Sequence, residues 1–138
     1  MTTASQCSHT LGFHARSNVP SELPYEPDQN QLLFCGVYYI EKILCLRLGR
    51  SSTIPDCDIT SLWPEGQQMS NSHAIAYVYQ LVKLASLAGK IYEQLYSAAA
   101  IRSPLDMRVC RALELSQDLH SYRAEANNIN VCSPEFIA

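Results

Sequence analysis

Residues 71–99, NSHAIAYVYQLVKLASLAGKIYEQLYSAA, decide the fold class. Ala74, Val78, Leu81, Ala85, Ala88, Tyr92 and Leu95 recur in alternating four- and three-residue steps, the spacing that sets side chains along one seam of an α-helix. A second apolar flank, Ile75, Val82, Leu84, Leu87 and Ile91, runs beside the first, and the charges are Lys83, Lys90 and Glu93. A helix wet along so narrow a strip must be covered on most sides. It is expected at the centre of the core, with Asn71 or Ser72 as its N-cap.

The neighbouring stretches carry the same period. Over residues 28–48, Leu33, Val37, Ile40 and Leu44 form a stripe, Asp28 stands where an N-cap belongs, and Gly49 stands where a helix-ending glycine belongs. A third helix is expected from Ser103-Pro104, with a serine cap, proline in the first turn and Asp106 against the positive end of the helix dipole. Its inward face is read as Leu105, Val109, Ala112, Leu113, Ser116 and Leu119. A shorter element spans residues 3–11 and ends at Gly12. Between these lie turn-rich connectors, residues 15–27 with Pro20, Pro24 and Pro27, and residues 50–72 with Pro55, Pro64 and Gly66. No internal repeat and no strand pair is visible. The expectation is an all-α fold, an irregular array of about four helices with long loops, over residues 1–126, followed by a flexible polar tail at 127–138.

The whole chain has 138 residues, a single-domain length that supports one sizeable core. With 47% apolar and 17% charged residues, 5 Gly and 7 Pro, it is neither low-complexity nor collagenous. Net charge is −3, and 10 basic residues are scattered among 13 acidic ones, so the cationic stripe that neutralises nucleic-acid phosphates is lacking. No apolar run approaches the ~18 residues of a membrane span. The N-terminus, Met1 to Cys7, has neither the basic nor the apolar region of a secretory signal. Six cysteines in such a chain are expected to stay reduced, in a soluble intracellular protein.

Zinc ligation needs closely spaced pairs, and the nearest cysteines, Cys35, Cys45 and Cys57, are 10 and 12 residues apart. Cys7 and His14 would stand roughly 10 Å apart along a helix, too far to share an ion. Cys57 lies between Asp56 and Asp58, whose charge suppresses a thiolate. Gly49-Arg50-Ser51-Ser52-Thr53 lacks the second glycine of a nucleophile elbow and follows a helix, so it reads as a helix end leading into a hydroxyl-capped turn. Asp56 and Asp58 are not read as a joint acid–base pair. The five glycines are isolated, so no loop cradles a phosphate. Phe34, Tyr38, Tyr39, Trp63, Tyr77, Tyr79, Tyr92 and Tyr96 could line a small-molecule pocket, although helix packing is their commoner use. No catalytic, metal or cofactor residue emerges.

One segment is more specific. Leu33-Phe34-Cys35-Gly36-Val37-Tyr38-Tyr39-Ile40-Glu41-Lys42 leads into Leu44-Cys45-Leu46-Arg47-Leu48-Gly49-Arg50-Ser51-Ser52-Thr53-Ile54 and then Asp56-Cys57-Asp58-Ile59-Thr60. This closely resembles the signature of the fungal-specific transcription factor domain, the middle homology region of zinc binuclear-cluster regulators. Leu11-Gly12-Phe13-His14 resembles an upstream element of that family, and Lys90-Ile91-Tyr92-Glu93-Gln94-Leu95-Tyr96-Ser97 resembles its downstream helix. The positions that carry the resemblance are Leu33, Phe34, Tyr38, Lys42, Leu46, Arg47, Leu48, Gly49, Arg50, Ile54, Asp56, Asp58, Ile59, Tyr92, Leu95 and Tyr96, all with a structural role in view. Two positions depart from it, with Cys35 in place of the family's tryptophan and Glu41 in place of its aspartate.

The resemblance implies an all-α regulatory domain acting in the nucleus. Zinc and DNA would be bound by a cysteine-rich cluster of full-length relatives that is not found in this chain, which reads as the C-terminal part of the regulatory domain. A free-standing module that pairs with, or interferes with, an intact regulator is the alternative, and a repurposed enzyme or ligand-binding protein is a third reading. Protein partners or self-association through an exposed helical surface are expected, with a small-molecule effector also open. Arg47 and Arg50 flank the helix end at Gly49, where they can meet the last carbonyls or pair with Asp56 or Asp58. An exposed apolar patch is expected on the helix of residues 71–99.

Overall fold

The computed structural model describes residues 2–12, 29–56 and 73–131, and within them the chain is helical or turn, with no strand. Helix α1 spans Thr2–Thr10, α2 spans Gln29–Leu48, and α3 spans His73–Ile91. A π-helical turn, Tyr92–Tyr96, follows, then a one-turn helix α4, Ala98–Ile101, and the long helix α5, Leu105–Val131. The proposed caps Asp28, Asn71 and Ser72, the family-like positions Phe13, His14, Asp58 and Ile59, and also Cys57 and Trp63, lie outside the described residues.

Each boundary has a local cause. At the end of α2, Gly49 takes φ +64°, the left-handed region that L side chains avoid. Its N–H donates to the Leu46 carbonyl at 3.2 Å and the Arg50 N–H donates to that of Cys45 at 2.9 Å, the paired bonds of a Schellman ending. The helix expected across residues 71–99 is not continuous. Its α geometry ends at Ile91, the Ser97 N–H reaches back to the Tyr92 carbonyl at 2.8 Å, and Ser97 itself is extended. Serine competes for backbone groups with its own hydroxyl. Here the Ser97 hydroxyl accepts from the Ala100 N–H at 3.1 Å and donates to the Glu93 carbonyl at 2.6 Å, closing one helix and opening the next.

Helix α5 begins after Pro104, as its start signals predict, but Ser103 does not cap it. The Ser103 hydroxyl instead donates to the Ala99 carbonyl at 3.2 Å and accepts from Arg111 Nη1 at 3.4 Å. The helix runs to Val131, beyond the boundary at residue 126.

Helix α3 packs mainly along α2 and secondarily on α5, while α1 touches α2. This is the central position that its apolar girth required. Phe34, Cys35 and Tyr38 of α2, Ile54 of the segment after it, and Val82 and Ala85 of α3 form the core, with Val37, Tyr39, Ile75, Val78 and Tyr79 packed around it.

Two faces differ from the sequence reading. On α2 the expected stripe leaves Leu33 57% and Ile40 47% exposed, while Gln31, Phe34, Cys35, Tyr38, Glu41 and Lys42 are buried. Those six also recur at helical spacing, and they carry the two largest fully buried side chains, Tyr38 and Phe34, together with polar groups that find partners across the fold. On α5 the inward residue is Leu115, flanked by half-buried Arg108, Arg111 and Tyr122. Leu105, Val109, Leu113 and Leu119 point outward at 71%, 51%, 62% and 46% exposure. The exposed apolar surface therefore falls chiefly on α5 and α2 rather than on α3, because those two helices cover α3 between them.

Candidate functional site

Five of the residues that carry the family resemblance, Phe34, Tyr38, Lys42, Ile54 and Asp56, converge where α2 meets the segment after it. Glu41 and Lys42 are adjacent on α2 and each is 3% exposed. Taking either charge out of water costs several kcal/mol unless it is paired and hydrogen-bonded. The Schellman ending supplies the partners by turning the chain back along the helix. The Thr53 N–H and hydroxyl both donate to Glu41 Oε1, at 2.8 and 2.6 Å, and Ser52 Oγ lies 3.2 Å from Oε2. The Ile54 N–H donates to Ser52 Oγ at 3.2 Å, and Ile54 itself is 1% exposed within the core.

One step further, Lys42 Nζ lies 2.6 Å from Asp56 Oδ1, and the Tyr38 hydroxyl donates to the same oxygen at 2.8 Å. Tyr38 and Lys42 stand one helical turn apart, which puts the ammonium 5.3 Å from the centre of the tyrosine ring. Gly89 of α3 makes room for the lysine, since a Cβ at that position would come within 3.2 Å of Nζ. Glu41 thus holds the near end of the returning segment and Lys42 with Tyr38 holds its far end. We call this arrangement the latch.

Its electrostatics are those of a largely buried structural network. Burial, then the charge of Asp56, pushes the Tyr38 phenol well above its ordinary value of 10.0. Burial pushes the Cys35 thiol up to about 12, and Cys45 is also raised, first by burial and then by the Glu41 carboxylate. Thiols held protonated are poor nucleophiles. A cavity of about 50 Å³ lies between Lys42, Arg50, Ser52, Gly89, Tyr92 and Glu93. It has room for a few waters, against roughly 300 Å³ or more for a metabolite pocket. A wider depression of about 400 Å³ opens between the π-helical turn, α4 and α5, lined by Glu93, Gln94, Ala100, Ser103, Arg111 and Glu114. Among the described residues no group of three or more His, Cys, Asp or Glu side chains could hold a metal ion.

The structure brings together Phe34, Tyr38, Lys42, Ile54 and Asp56, and sets Leu46 and Tyr92 at the edge of the small cavity beside them. Arg47, Leu48 and Tyr96 are exposed, Leu33 points outward, and Leu95 is half-buried. Asp56 is not an arginine partner: its carboxylate takes Lys42 and Tyr38, while Arg50 stays exposed. Glu41, Ser52, Thr53 and Gly89 belong to the latch although they were not singled out for it. The hydroxyl-capped turn read at residues 49–53 was the one local signal for Ser52. Of the aromatic set, Phe34 and Tyr38 are core, Tyr39 and Tyr79 pack on it, and Tyr77 and Tyr96 are exposed.

The sequence profile described as "Fungal specific transcription factor domain" matches residues 1–118. Among curated proteins, an "ABC-transporter-regulating transcription factor" of Aspergillus oryzae is 26% identical over 129 residues, covering 87% of this chain and 14% of its own length. The "Fusaridione A cluster transcription factor fsdR" of Fusarium heterosporum is 26% identical over 132 residues, 88% of this chain and 24% of its own. "Protein STB5" of Saccharomyces cerevisiae is 30% identical over 80 residues, 58% of this chain and 11% of its own. The chain therefore spans less than a quarter of the length of these relatives. No solved structure matches it significantly.

Proposed function

The chain belongs to the fungal specific transcription factor domain family, and on that premise we propose that it serves transcription as a regulatory part that works by protein contact, not as the part that reads DNA. The observation that carries this reading is the family match over residues 1–118, within which lie all the described latch residues. The relatives bearing this region are named transcription factors, and a net charge of −3 argues against binding of a nucleic-acid backbone by the chain itself. In this reading the protein is not an enzyme, acts in the nucleus, and leaves zinc and specific DNA contact to a separate cysteine-rich cluster.

The contact surface is the outward apolar stripe of α5, Leu105, Val109, Leu113 and Leu119. Contiguous exposed apolar side chains of this kind mark protein interaction sites. The same stripe favours a second reading, a free-standing module that pairs with an intact family member. A mobility-shift titration with the purified chain tests the first reading. No sequence-specific retardation is expected at moderate salt, and specific retardation overturns it. Co-precipitation of a full-length family member, lost on Leu113→Glu, would move the weight to the pairing module.

A further inference from the structure

We propose that Ser103 is a phosphorylation site whose phosphate is held by Arg111 across the corner between α4 and α5. This goes beyond the regulatory reading and does not depend on it.

The acceptor motif is Arg102-Ser103-Pro104, a serine followed by proline. It sits at the corner between α4 and α5, flanked by Ile101 at 59% and Leu105 at 71% exposure, with Arg102 and Pro104 also exposed, so a kinase can approach from solvent. The hydroxyl already lies 3.4 Å from Arg111 Nη1, at the long limit for a hydrogen bond. A guanidinium matches a phosphate far better than a hydroxyl, because its parallel N–H groups meet two charged oxygens. Arg108 lies on the same half-buried face of α5, one turn nearer its start, and its Nε is buried without a hydrogen-bond partner.

The opposing charges are Glu93 and Glu114, which line the depression with Ser103 and Arg111, and Asp106 in the first turn of α5. Formal charge alone does not decide the outcome. The direct approach of Arg111 to the acceptor oxygen does, since phosphates order a segment where arginine reaches them and disrupt it where only carboxylates do. The reaction is phosphoryl transfer from ATP by a proline-directed protein kinase. The Ser103 Oγ–P bond forms, the bond from the γ-phosphorus to the bridging oxygen breaks, ADP leaves, and the hydroxyl proton passes to the kinase base. The hydroxyl's bond to the Ala99 carbonyl is lost with that proton.

The test uses the full chain carrying Ser133→Ala, which removes its other serine-proline acceptor, with ATP and a proline-directed kinase. We expect stoichiometric phosphate on Ser103 by mass mapping and a Tm rise of about 3 °C, the scale of one solvent-accessible ion pair in a domain of this size. By ³¹P NMR the phosphate's second ionisation should fall below its ordinary value of about 6. Arg111→Gln should abolish both changes, and Arg111→Lys, which keeps the charge without the fork, should retain less than half of the Tm rise. An unmodified Ser103, a Tm that stays or falls on phosphorylation, or an ionisation that Arg111→Gln leaves unchanged overturns the proposal.

Discussion

A lysine and a glutamate side by side, both buried, are destabilising until each has a partner, and the sharpest consequences of this fold follow from that. Lys42→Met leaves Asp56 with only the Tyr38 hydroxyl, and Asp56 is partly open to water at 31% side-chain exposure. We expect a loss of about 2 kcal/mol in urea unfolding, below the 3–5 kcal/mol of a fully buried pair broken on one side. Tyr38→Phe should cost about 1 kcal/mol, since it removes one hydrogen bond and keeps the ring. A double-mutant cycle over these two changes should be non-additive because both act on Asp56 Oδ1. Two buried acids with raised folded-state pKa values set an alkaline limit. Their contribution is fully present below the unfolded values, 9.0 for Cys35 and 10.0 for Tyr38, and is lost as pH rises above them. The urea midpoint should therefore decline above pH 9, and Cys35 should resist alkylation at pH 8 in the native chain while exposed Cys7 and Cys110 react.

At the scale of elements, what was legible in the sequence was what neighbouring residues determine. The glycine after Leu48, the Ser-Pro pair before α5 and the apolar girth of α3 each announce themselves within one or two turns. Gly49→Ala should destabilise by about 1 kcal/mol through backbone strain alone, because φ is +64° and an added Cβ there would meet nothing within 4 Å. Equilibrium unfolding checks that value, and a neutral result would place the cap outside the cooperative fold. The facing of α2 and α5 was not legible. α2 offers two stripes of helical period, and the one containing glutamate and lysine is buried because its partners, Thr53 and Asp56, arrive from beyond a turn that periodicity does not register. α5 likewise turns two arginines inward and a leucine-valine stripe outward. The break at Ser97 was missed because the apolar pattern continues across it while the serine hydroxyl redirects the backbone.

At the scale of the molecule, the latch and the α5 stripe divide the labour. The latch joins α2 to the segment after it, and α3 is clasped between α2 and α5, with Lys83 of α3 also reaching Glu125 of α5 at 2.6 Å. That pair is exposed and contributes little, so the helix packing itself presents the stripe. Leu113→Glu should leave the melting temperature within about 2 °C of the parent, as expected for an outward position, while reducing any self-association measured by sedimentation. The most direct test of the central claim is reporter transcription driven by this chain tethered to a heterologous DNA-binding domain in a fungal cell. The account predicts output different from the DNA-binding domain alone, with Leu113→Glu restoring the baseline while the tethered chain stays folded and abundant. Output equal to that of the DNA-binding domain alone, from a folded and abundant tethered chain, would contradict it.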